Sequence, residues 1–160
     1  MNEELKTGDP APNFNLPDHS GTLHTLASHH GSWLILYFYP KDNTSACTTE
    51  ALAFSAVYEE LSEHGVPVIG ISPDSPESHR KFIEKHDLKI TLLSDENHSV
   101  IETFGAWKLK KMYGKEYMGV ERSTFLIDPE GIIRGIWRKV KVKGHVEEVT
   151  ERLSDLKRRI

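Results

Sequence analysis

Cys47 is the only cysteine of the chain, and it stands where a thiol can react. It follows the aromatic run Tyr37, Phe38, Tyr39, then Pro40 and the polar residues 41–45. From Cys47 onward, apolar residues recur at helical spacing, at Ala51, Phe54, Tyr58 and Leu61, as far as His64 and Gly65. With Thr44 or Ser45 as N-cap, Cys47 falls in the first helical turn, where backbone N–H groups lack partners and the helix dipole is positive. Such a place favours the thiolate, which is the nucleophile, and the same amides can hold a substrate oxygen beside the sulfur. Free cysteine is also among the most buried residue types, so the helix face alone leaves packing and chemistry both open.

The elements that must position this thiol alternate in type. Residues 9–25, with Pro10, Pro12, Pro17 and a turn at 18–21, read as a small entrance hairpin. Residues 33–39 form a continuous apolar and aromatic run, the pattern of a central strand buried on both faces. Residues 66–72 predict a second buried strand, and Ser75, Pro76 and Glu77 supply an N-cap, a first-turn proline and an acid for a helix to about His86. A short strand at 90–93 and a short helix at 97–104, ended by Gly105, come next. Residues 107–119 are basic and aromatic and read as a loop. Strands at 123–127 and 132–137 flank the turn Asp128, Pro129, Glu130, Gly131, and a closing helix from His145 to about Lys157 carries Val146, Val149 and Leu153. This series predicts one α/β domain over residues 1–160: a parallel core with right-handed crossovers, extended by the hairpin into a mixed sheet with helices on both faces.

Composition narrows the function. A length of 160 residues suits one compact domain, and a net charge of −4 with interspersed signs argues against a nucleic-acid binder. No apolar run approaches the roughly 20 residues of a membrane span. The start, Met1 to Lys6, lacks the basic-then-apolar pattern of a secretory signal, so a cytoplasmic location is expected. A single cysteine forms no internal disulfide, and the nine histidines are scattered, so no metal site is expected. His29, His30 and residues 139–143 read as solvated surface.

The spacing Pro40, Thr44, Cys47 resembles the Pro-x-x-x-Thr-x-x-Cys signature of peroxiredoxins, most closely the bacterioferritin-comigratory or PrxQ subfamily. The likeness continues in order at 9–14, 71–75, 92–95, 122–128 and 140–146, nearly the whole chain. It implies a thioredoxin-like fold with an N-terminal β-hairpin and a peroxidase reaction on hydrogen peroxide and organic hydroperoxides. In that reaction the Cys47 thiolate takes a peroxide oxygen and becomes a sulfenic acid. It further implies that the Thr44 hydroxyl contacts the peroxide and bonds toward the sulfur, that Pro40 shields the thiolate, and that Arg122 favours the thiolate and orients substrate. The backbone amides of Ala46 and Cys47 would receive the peroxide oxygens, and Glu50 would hold Arg122. No cofactor is implied, and a monomer is expected. Trp107 and Tyr113 are read as pocket lining or as packing.

Two departures stand out. Many relatives have Pro-Gly between the threonine and the cysteine, where this chain has Ser45 and Ala46. Many also carry a second, resolving cysteine five residues on or on the next helix, where Leu52 and Ile83 stand here. A one-cysteine mechanism follows, with thioredoxin or a low-molecular-weight thiol as external reductant. The competing reading is a peroxide sensor or relay that forms a mixed disulfide with a partner protein.

Overall fold

The computed structural model describes residues 4–158. Its core is a five-stranded sheet ordered β5-β4-β3-β8-β9, with β3 Leu34–Phe38, β4 Val68–Ser72, β5 Thr91–Ser94, β8 Ser123–Ile127 and β9 Ile133–Trp137. Strands β3, β4 and β5 run parallel, whereas β8 is antiparallel to β3 and β9 antiparallel to β8. The uninterrupted apolar run of β3 is explained by its central position: Ile35 and Tyr37 face one apolar cluster, Leu34, Leu36 and Phe38 the other.

Helices α1 Ser45–Ala56, α2 Tyr58–Glu63, α3 Pro76–His86 and α5 His145–Arg158 cover the first face, through Phe54, Leu61, Phe82 and Val149 among others. Helix α4 Ser99–Thr103 and the antiparallel entrance pair, β1 Asn15–Pro17 and β2 Leu23–Thr25, cover the second. The thioredoxin-like arrangement with helices on both faces is therefore present. The capping signals at α3 act as expected, since Ser75 Oγ accepts from the Ser78 amide at 3.1 Å and Pro76 opens the helix. At the second turn, Asp128 Oδ1 accepts from the amides of Glu130 and Ile132.

Two local expectations are corrected. The helix carrying Cys47 is not continuous to His64: it breaks at Val57, whose φ of −99° and ψ of 2° leave the helical basin, and restarts as α2. Residues 107–119 are not a loop but most of a hairpin, β6 Trp107–Met112 against β7 Lys115–Val120, standing apart from the main sheet. Tyr113 and Gly114 both take positive φ, 53° and 77°, the backbone of a tight two-residue hairpin turn. Tyr113 is 97% exposed at that tip, and Trp107 stacks on His98 with ring centroids 4.0 Å apart. His29 is half-buried and stacks on His24 rather than standing free in solvent.

Candidate active site

Strand β3 delivers Pro40 to the sheet's C-terminal edge, and residues 41–44 turn the chain into α1. In that loop Asn43 takes φ of 64°, and the Thr44 hydroxyl donates to the Lys41 carbonyl at 2.9 Å. The positive φ falls on Asn43, a residue that tolerates it, while Ser45 and Ala46 lie inside the helix. Replacing Pro-Gly by Ser45-Ala46 therefore imposes no left-handed backbone here. Thr44 is the N-cap, but its side chain makes no capping bond, and its one described bond runs to Lys41 rather than toward the sulfur.

The helical ladder begins with the Thr48 amide donating to the Thr44 carbonyl at 2.8 Å. The amides of Ser45, Ala46 and Cys47 precede that bond and point out of the helix N-terminus, as a first turn requires. Cys47 is 1% exposed and packs in the cluster that holds Tyr37, Tyr39 and Phe54. The sulfur is thus held in apolar packing and beside charge at once.

That charge comes from Arg122, at the junction of β7 and β8. Its Nη2 donates to Cys47 Sγ at 3.2 Å, and its Nη1 donates to Glu50 Oε1 at 2.6 Å. Cys47 and Glu50, three residues apart on α1, share one face of the helix and so meet one guanidinium. Glu50 is wholly buried, and burial pushes its carboxyl up to about 7 against the pull of Arg122. Burial works against the Arg122 charge as well, yet Glu50 and Cys47 beside it hold the guanidinium above its ordinary value.

Tyr37 lies beneath this trio. Its ring stacks on Phe54 at 4.9 Å, and burial first, then Glu50 and Cys47, push its phenol well above the usual range. Room for the ring comes from its cross-strand partner Gly70, where a Cβ would sit 2.7 Å from Tyr37 Cζ. Tyr37 and Lys110 are neighbours that the sequence reading did not single out. Lys110, half-buried on β6, is pushed down by burial and by Arg122 and drawn up by Cys47 and Glu121.

Asp42, Asp74 and His79 are the one set among the described residues whose ligand-type atoms all lie within 4.8 Å of one another. The atoms that would face an ion are already engaged in hydrogen bonds within the protein. No described helix is long and apolar enough to cross a membrane.

A thioredoxin-like sheet with a lone thiol at a helix start, facing an arginine, defines a class. A model of the AhpC/TSA family matches residues 7–136, and the chain belongs to that family. Peroxiredoxin Bcp of Bacillus subtilis is 50% identical over 152 residues, covering 95% of this chain and 97% of that protein. Peroxiredoxin Bcp of Escherichia coli K12 is 43% identical over 151 residues, 94% and 97% of the two chains. Among solved structures, a variant of Xylella fastidiosa PrxQ superposes with a TM-score of 0.90 at 38% identity over 96% of this chain and 98% of that one. A yeast mitochondrial 1-Cys peroxiredoxin, described with its thiol resolving through glutathione and thioredoxin systems, gives 0.77 at 25% identity over 96% and 78%. With these relatives the chain is a peroxiredoxin of the Bcp/PrxQ kind, a thiol-dependent peroxidase.

Proposed function

We propose that the chain reduces hydrogen peroxide and organic hydroperoxides through Cys47 alone, and that an external thiol recycles it. The observation that carries this is the Arg122 Nη2 to Cys47 Sγ contact at 3.2 Å in a chain with one cysteine. A guanidinium beside the sulfur stabilises negative charge as it moves from sulfur to the leaving oxygen.

In the first step the sulfur attacks the terminal peroxide oxygen, an S–O bond forms and the O–O bond breaks. The departing oxygen takes up a proton and leaves as water or an alcohol, and Cys47 becomes a sulfenic acid. The free amides of Ala46 and Cys47 at the start of α1 receive the peroxide oxygens. Pro40, half-buried at the end of β3, limits water at the sulfur, and Thr44, exposed at the N-cap, meets the substrate from the solvent side. Glu50 holds Arg122 in place.

In the second step a reductant thiol attacks the sulfenic sulfur and water leaves, giving a mixed disulfide. A second thiol then displaces Cys47 as a thiol. Thioredoxin or a low-molecular-weight thiol fills this role, a reading supported by the one-cysteine yeast relative described with such systems. Because Cys47, Glu50 and Arg122 come from one chain, a monomer suffices as the working unit. The reducing cytoplasm suits a thiol that depends on outside reductant.

Mass spectrometry after one equivalent of peroxide tests the scheme. A gain of one oxygen at Cys47, removed by thioredoxin or a small thiol with sustained turnover, supports it. A single burst that ends in a stable mixed disulfide supports the sensor reading instead.

A further inference from the structure

A buried polar cluster outside the thiol site grips a side chain of the loop that leads into it. Asp42 sits between Pro40 and Thr44, and its side chain is 2% exposed. Asp42 Oδ1 accepts from the Tyr39 hydroxyl at 2.6 Å, and Oδ2 accepts from the Ser78 hydroxyl and from His79 Nδ1, both at 2.8 Å. The Asp42 amide donates to Asp74 Oδ2 at 2.8 Å, an oxygen that also accepts from the Ser72 hydroxyl at 2.7 Å.

His79, whose side chain is fully buried, faces acceptors on both sides. Its Nε2 lies 3.0 Å from the Leu93 carbonyl, which can only accept, so that nitrogen carries hydrogen. Its Nδ1 meets a carboxylate that already takes hydrogen bonds from two hydroxyls. One proton therefore lies between Nδ1 and Asp42 Oδ2, and a buried hydrogen bond of 2.8 Å ties the helix residue to the loop residue.

Tyr39 after β3, Asp74 after β4 and the first turn of α3 thus converge on Asp42, with β5 holding His79 from its other side, in a loop that is otherwise short of anchors. The loop's own bonds are the Thr44 hydroxyl to the Lys41 carbonyl and the first rung of α1. Asp42 is also followed at once by the left-handed Asn43, so its placement sets the direction in which α1 starts.

We infer that Asp42 and His79 are positioning residues for the peroxide reaction: their buried pair fixes the loop between Pro40 and Thr44, and with it the amides of the first turn of α1 against Cys47. The pair touches neither sulfur nor substrate and acts through the backbone. A shift of about 1 Å in such a frame costs about a hundredfold in rate, so one buried pair is enough to matter. This inference rests on Cys47 being the peroxide-reacting thiol.

The test compares two reactions of the same sulfur in Asp42→Asn, His79→Gln and Ser78→Ala. Rapid mixing gives the rate constant with hydrogen peroxide, which needs the positioned amides. Alkylation by iodoacetamide gives a rate that needs the thiolate but no peroxide-holding frame. In Asp42→Asn and His79→Gln, at temperatures well below unfolding, the peroxide rate falls about tenfold or more and alkylation changes less than about threefold. Ser78→Ala removes one donor from the rim and lowers the peroxide rate in the same sense by a smaller factor, which keeps the test alive if the core variants do not fold. Equal losses in both reactions, or an unchanged peroxide rate with only a lowered melting temperature, overturn the inference. A wild-type protein no faster with peroxide than free cysteine overturns the function itself instead.

Discussion

Arg122 and Cys47, 75 positions apart in sequence, meet at 3.2 Å because the antiparallel pairing of β3 with β8 brings the start of β8 beside the end of β3. Phe38 pairs with Ser123, so the residue before β8 lies beside the loop that follows β3. The sheet register is what places a guanidinium over the helix start.

Removing that guanidinium slows the oxidation step. Arg122→Ala lowers the rapid-mixing rate with hydrogen peroxide by about 10²–10³-fold, the size expected for one charge-stabilising donor. Arg122→Lys recovers little of it, because an ammonium cannot serve Glu50 and Cys47 at once through two fixed nitrogens. Full activity in Arg122→Lys would count against the shared-fork geometry.

Glu50 makes stability fall with rising pH. Its folded carboxyl lies near 7 against an ordinary 4.5, so between those values the folded protein binds more proton than the unfolded chain. That contribution is complete at and below the ordinary value and is lost as pH rises through the folded one. Glu50→Gln is therefore expected to gain melting temperature relative to wild type on going from about pH 5 to about pH 8. Thermal unfolding at both ends checks the sign, and a constant difference contradicts it.

Gly70 is required by Tyr37. A methyl at 70 would overlap Tyr37 Cζ at 2.7 Å and Leu92 Cδ2 at 2.9 Å in a packed sheet core. Gly70→Ala should cost about 1–3 kcal/mol by denaturant unfolding. A Tyr37→Phe background, which removes the hydroxyl oxygen that would lie 2.9 Å from the same methyl but keeps the ring, should recover part of the loss.

His145 adds an acid-side weakness. Burial holds its imidazole below the ordinary 6.5, although Glu148 draws it up, and its Nε2 lies 2.8 Å from the Thr124 hydroxyl. The unfolded chain binds the proton more tightly, so this contribution is present above the ordinary value and lost as pH falls below it. His145→Gln should show a shallower drop in melting temperature between about pH 7 and about pH 5 than wild type.

The parts of the fold that were legible in the sequence are those where one local signal decides. The unbroken apolar run of β3, the capped start of α3 and the Asp128 turn each follow from a few neighbouring residues. Cys47 at a helix start was legible for the same reason, from the change of period after Pro40. The pairing with Arg122 depends on sheet register between distant strands, and only the family resemblance pointed to it. Val57 breaks the helix without a glycine or proline to mark it. The hairpin of β6 and β7 was hidden because both of its faces carry lysine and exposed apolar residues, which blurs strand alternation; the dipeptide Tyr113-Gly114 was the signal available. The Asp42 and His79 pair was illegible because a loop acid and a helix histidine, 37 positions apart, look solvated until the fold buries them.

The central claim is that Cys47, set at the start of α1 beside Arg122, is a peroxide-reacting thiol. Rapid-mixing fluorescence of the reduced protein with hydrogen peroxide tests it most directly, with Trp33, Trp107 and Trp137 as reporters. The account predicts a second-order reaction many orders of magnitude faster than free cysteine, absent in Cys47→Ser. A wild-type rate no greater than that of free cysteine would contradict it.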